Sequence, residues 1–140
     1  MSIDAAIDQE VYVEHVAGDR FDIGVRSHVL TVDQPVADGG ADEGPTPTEL
    51  FVASLAACVG FYVRRFLLRH GLEEAGLQVR ARFTMAQHPA RVGAITVAVA
   101  LPSGIPAEQL PALRAVASHC TVHNSLVAAP EVHIELASAH

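Results

Sequence analysis

The sequence has no lysine, no tryptophan and only two cysteines, Cys58 and Cys120. Two cysteines in 140 residues are too few for the disulfide framework of a small secreted scaffold. Nine basic side chains, all arginine, face 16 acidic ones, and the net charge is −7. That balance argues against a nucleic-acid backbone or an anionic membrane as the main partner, because both select a basic excess. Half of the residues are apolar and the mean hydropathy is +0.29, which excludes a disordered chain. Residues 1–10 hold neither a basic stretch nor an apolar core, so no signal peptide is expected. The longest apolar run, Leu50 to Val63, contains Ser54 and Gly60 and stops at Arg64-Arg65. It falls short of the roughly 20 residues of a membrane span. These features predict one domain over residues 1–140, cytoplasmic, with both thiols reduced and available.

What is present reads as strands, a long helix, a hairpin, then helix and strand. Val11 to Val16 and Phe21 to Val25 alternate with a period near two, Gly18-Asp19 marks a turn between them, and His28 to Asp33 suits a third strand. Residues 34–47 carry three prolines, three glycines and three acids, which is a loop. Thr46-Pro47-Thr48-Glu49 has the spacing of a capping box with proline at the first helical position. Gly71 and Leu72 suit the opposite end. The first four turns between these caps are apolar on nearly every side, so both faces of the helix should be covered, one of them by a second element or a partner subunit. Leu77 to Met85 alternates as a strand, Gln87-His88-Pro89-Ala90 turns it, and Val92 to Leu101 reads as a strand buried on both faces. A helix over about Pro106–His119 with an irregular start at Pro111, a short helix to Ala128 and a last strand at Val132, Ile134 and Leu136 complete an α+β domain.

Cys58 lies in mid-helix between Leu55 and Phe61, a place where a cysteine commonly fills the core. An activated thiolate there needs a cation from elsewhere. Lowering a thiol pKa from ~8.5 to ~6.5 takes about 2.7 kcal/mol. One arginine at ~4 Å, at an effective dielectric of ~20, supplies about 4 kcal/mol before desolvation. Cys120 stands between His119 and Thr121-Val122-His123-Asn124, where helix-start amides and an imidazolium favour a thiolate. The two could bridge if their Cα atoms approach to ~5.5 Å. His119, Cys120, His123 and Cys58 could instead supply four metal ligands, without the spacing of a zinc site. Asp38, Asp42 and Glu43 read as a solvated loop, and Arg64, Arg65, Arg69, Arg80 and Arg82 as exposed faces or subunit contacts. No His/Asp arrangement makes Ser54 a nucleophile.

The block Gly39-Gly40-Ala41-Asp42-Glu43-Gly44-Pro45-Thr46-Pro47-Thr48-Glu49-Leu50, followed by Ala56-Ala57-Cys58, resembles the OsmC/Ohr family. So does Cys120-Thr121-Val122-His123-Asn124-Ser125-Leu126, and His28 to Pro35 resembles its OsmC-like branch. The resemblance spans about residues 18–136. It implies an OsmC-like fold, with antiparallel sheets packed on a long central helix in an intertwined homodimer. It implies that Cys58 reacts with peroxide and that Cys120 resolves the sulfenic acid to a disulfide. It also implies an arginine held by a glutamate just before the helix, for which Arg20 is the best match and Arg26 the next. Two departures stand out. The family's glutamate ten residues before the cysteine is Thr48 here, and Glu49, nine before Cys58, lies ~13.5 Å away on the opposite side of an ideal helix. Thr121 stands where the family often has proline, and His123 where a small hydroxyl is usual.

The resemblance therefore implies a thiol-dependent peroxidase of organic hydroperoxides in a stress response, with Cys58, Cys120, Arg20 and Glu49 as site residues. The substrate would enter an apolar pocket near Phe51, Phe61 and Tyr62. The expected partners are a second copy of the chain, a hydroperoxide and a dithiol reductant, lipoyl or a small thiol, with no cofactor or metal. The alternative is a non-catalytic member that binds a small apolar or thiol-reactive ligand at the dimer cleft.

Overall fold

Alternation at the start of the chain produces three short strands: β1 (Tyr12–Ala17), β2 (Arg20–Val25) and β3 (His28–Val32). They pair antiparallel in the order β1-β2-β3, with Phe21 opposite Val32 and Ile23 opposite Leu30. The computed structural model describes residues 9–138, so most of the N-terminal segment read above for a leader lies outside the described residues. It divides the chain into two compact units, one ending at Phe51 and one starting at Val52. In the first unit the sheet leads into a loop with a 3-10 turn at Val36–Asp38, and Val32 and Asp33 are its buried residues.

The boundary falls inside helix α1 (Pro47–Arg69). Its start is the expected capping box, and its end is tied by Leu72 N–H donating to the Leu67 carbonyl at 2.9 Å around Gly71, whose φ is +64°. The caps extend the helix beyond the apolar run on both sides. Its 23 residues, with a mean hydropathy of 1.6 over 18 of them, are long and apolar enough to cross a membrane by length and composition, which corrects the expectation from the run alone. Leu55, Val59, Val63, Phe66 and Leu67 nevertheless pack into the core of the second unit, as a core helix does.

That unit adds β4 (Gln78–Ala86), β5 (Arg91–Ala100), α2 (Leu110–Ala117) and α3 (Thr121–Val127). The two strands form an antiparallel hairpin whose turn is stapled by Arg91, which donates to the carbonyls of Gln87 and Pro89 at 2.9 Å. Ile95, Val97 and Val99 pack against the core that α1 shares with Leu113 and Cys120. Pro111 sits in the first turn of α2, after a 3-10 turn at Ala107–Gln109.

The two-sided burial expected of β5 is not found. Ala94, Thr96, Ala98 and Ala100 face outward, small residues opposite the exposed Arg80 and Arg82 of β4, so the apolar run reflects alanine rather than a second covered face. The last strand is also absent from the described residues. Residues 128–138 form no ladder, and Val132, Ile134 and Leu136 stay exposed because no strand among the described residues pairs with them. On α1, Phe61 and Leu68 remain about half exposed among the described residues.

Candidate active site

The second unit brings the two cysteines together. Cys58, on α1 between the core residues Leu55 and Val59, is half-buried and packs against the cluster that contains Cys120. Cys120 is fully buried and begins α3 as its N-cap, its Sγ accepting the His123 N–H at 3.4 Å. Both thiols are free. Burial pushes the Cys120 thiol above its ordinary pKa, against the pull of the His123 N–H. The contact with Cys58, within hydrogen-bonding reach, raises it further. Cys58 thus keeps partial exposure while Cys120 is sealed and kept protonated.

The segment that carries Cys120 is held mainly by local bonds. His123 Nδ1 meets the Ser118 carbonyl at 2.7 Å, and Asn124 donates to the His119 carbonyl at 3.2 Å. Besides the Cys58 contact, a hydroxyl pair ties the segment to α1: the Tyr62 hydroxyl lies 2.6 Å from Thr121 Oγ1. His119 Nδ1 is likewise engaged, with the Ala115 carbonyl at 2.7 Å. Among the described residues no group of three or more His, Cys, Asp or Glu side chains could hold a metal ion.

In the first unit Arg20, at the start of β2, meets Asp22 Oδ1 at 3.7 Å and Glu43 Oε1 at 3.8 Å. The carboxylate that reaches it from the loop before the helix is therefore Glu43, a residue expected to be solvated. Glu49 Oε1 instead accepts the Thr46 N–H at 2.9 Å. Arg26 occupies the tight turn between β2 and β3 with φ 55° and is exposed. Asp33 is the organising residue that the sequence did not disclose. It is buried and accepts the Gln34 N–H at 2.7 Å and the Glu43 N–H at 3.0 Å. The Glu43 and Gln34 amides hold its carboxyl below the usual range despite burial. The loop wraps so closely that a Cβ on Gly40 would collide with the Gln34 carbonyl.

A cavity of about 490 Å³ opens in the second unit, lined by Leu55, Val59, Val63 and Leu113 and rimmed by Arg114 and His123. The expected pocket at Phe51, Phe61 and Tyr62 is not this one, since none of the three lines it. Phe51 and Phe61 are exposed, with the Arg65 guanidinium lying 4.6 Å from the centre of the Phe61 ring.

Comparison with known proteins gives a consistent picture. The family profile described as OsmC-like protein matches residues 39–135. A solved structure from Psychrobacter arcticus 273-4, named for osmotic stress induction and a detoxification response, is 22% identical with a TM-score of 0.77, over 82% of this chain and 85% of that one. The organic hydroperoxide resistance protein OsmC of Legionella pneumophila is 19% identical with a TM-score of 0.58, over 86% and 90%. OhrB of Bacillus subtilis, an organic hydroperoxide resistance protein, is 18% identical with a TM-score of 0.61, over 86% and 90%. At these identities the likeness is one of fold. No curated protein matches the chain in sequence.

Proposed function

The chain belongs to the OsmC-like protein family, and we propose that it is a thiol peroxidase that reduces organic hydroperoxides through Cys58. The observation that carries this reading is the pairing of a partly buried cysteine with a sealed one inside hydrogen-bonding reach, both in one packed cluster. Cys58 attacks the distal oxygen of the hydroperoxide, an alcohol leaves, and the sulfur becomes a sulfenic acid. Cys120 displaces water from it to form the disulfide, and a dithiol reductant, lipoyl or a small thiol, returns both sulfurs to thiols while becoming a disulfide itself. Arg20 supplies the cation that favours the Cys58 thiolate, with Asp22 and Glu43 holding it, and Glu49 fixes the start of the helix that presents Cys58. The working unit is residues 1–140 as a cytoplasmic homodimer, in which a second copy covers the open face of α1.

Consumption of a bulky organic hydroperoxide with a dithiol reductant tests this. Wild type should turn over, Cys58→Ser should be silent, and Cys120→Ser should stop after one equivalent unless the reductant attacks the sulfenic acid directly. Equal rates in wild type and Cys58→Ser would overturn the reading. The aliphatic cavity favours a second one, a member that binds a small apolar ligand without chemistry. Thiols unchanged by one equivalent of hydroperoxide would select it.

A further inference from the structure

We propose that Tyr62 and Thr121 form a latch that sets how fast Cys120 resolves oxidised Cys58, and thereby how well Cys58 survives excess peroxide. The inference rests on the peroxidase reading above. Tyr62 lies four residues after Cys58 on α1, which puts both side chains on one face a turn apart. Thr121 directly follows Cys120 and is the first residue of α3. Their hydroxyls are 2.6 Å apart, at the short end for such a bond. This hydrogen bond thus joins the element of one sulfur to the element of the other, alongside the contact between the two cysteines and the apolar packing around them.

The other bonds at the start of α3 close within the segment: His123 N–H to Cys120 Sγ, His123 Nδ1 with the Ser118 carbonyl, Asn124 with the His119 carbonyl, and Ser125 with the Thr121 carbonyl. They shape α3 but do not hold it against α1. Apolar packing of Cys120 and Val122 does that without fixing direction, whereas a hydrogen bond is directional. Thr121 is also a position where the chain departs from the pattern it resembles, and a proline there would have no hydroxyl to bond.

Two reactions compete for the sulfenic acid on Cys58. Resolution joins it to the Cys120 thiol, giving a disulfide and water. A second hydroperoxide instead donates an oxygen, giving a sulfinic acid and an alcohol, and this product is not returned by thiols. Tyr62 and Thr121 are positioning residues for the first reaction and touch neither substrate nor reacting atoms.

The test separates the two steps by rapid mixing with an alkyl hydroperoxide, using Cys58 oxidation as the internal reference, with Cys58 sulfinic acid measured by mass spectrometry. In Tyr62→Phe and Thr121→Val the ratio of disulfide formation to Cys58 oxidation should fall about fivefold, roughly 1 kcal/mol, and sulfinic acid should rise at high peroxide. Thr121→Ser, which keeps the hydroxyl, should restore the wild-type ratio. A ratio unchanged in both hydroxyl-removing variants overturns the latch. If hydroperoxide leaves the wild-type thiols intact, the peroxidase reading fails, and a small-molecule disulfide then takes its place: Cys58 attacks it, and Cys120 displaces the bound thiol. Slower closure in the variants sustains the latch on that route, and equal closure overturns it. Matching melting curves check that each variant folds.

Discussion

Thr46 and Glu49 exchange hydrogen bonds across the start of α1: the Glu49 N–H donates to Thr46 Oγ1 at 3.0 Å, and the Thr46 N–H donates to Glu49 Oε1 at 2.9 Å. Two amides that the helix leaves unpaired are satisfied reciprocally. Thr46→Ala is expected to lower unfolding stability by about 1 kcal/mol. Glu49→Gln, whose amide oxygen accepts the same bond, should keep both the melting temperature and the rate of Cys58 oxidation. A lower rate at unchanged stability would give the carboxylate a direct part in the chemistry.

Asp33 makes stability depend on acid. Its carboxyl is held below the ordinary value of 3.8 by the Glu43 and Gln34 amides. The native state therefore binds that proton less readily than the unfolded chain does. The stabilisation is present above about pH 4 and is lost as pH falls through the native value. Thermal unfolding across pH checks this: Asp33→Asn should be less stable than wild type at pH 7, and the difference should shrink below pH 4.

Arg20 and Arg26 differ in setting, and their substitutions should differ too. Arg20 is held by two carboxylates, whereas Arg26 is exposed on a turn. Arg20→Gln should slow Cys58 oxidation several-fold or more at neutral pH, as expected on the proposed reading that its guanidinium favours the reacting sulfur. Arg26→Gln should leave it near wild type. The rate of Cys58 alkylation in a Cys120→Ser background, compared among wild type and the two arginine variants, checks this.

The exposed apolar residues of α1 predict assembly. Ala53, Ala57, Phe61 and Leu68 are exposed on a helix that is apolar over most of its length, and such a stripe marks an interaction surface. Light scattering should report a dimer for wild type and a monomer for Phe61→Glu, and a monomeric wild type would overturn the proposed pairing.

What the sequence disclosed was local. The caps of α1 rest on residues three or four positions apart, and the hairpin on a turn between alternating runs, so both could be read without the fold. Proximity of Cys58 and Cys120 entered through resemblance rather than spacing. Glu43 and Asp33 escaped notice because their partners depend on how the loop at residues 34–46 folds back, and nothing in a string of Gly, Pro and acids states that path. Val132, Ile134 and Leu136 show the converse failure. Alternation records which side chains would share a face, yet says nothing about whether a neighbouring strand exists to receive them.

The placement of the sulfurs also bears on heat resistance. Closing a bond from residue 58 to residue 120 would tie the long helix to the short one across a loop on the order of 60 residues, which restricts the unfolded chain by about 4 kcal/mol. A protein carrying that link would outlast its dithiol form on warming. Persistence in a stressed cell would then track the redox balance of its surroundings, with the oxidised molecules the last to unravel.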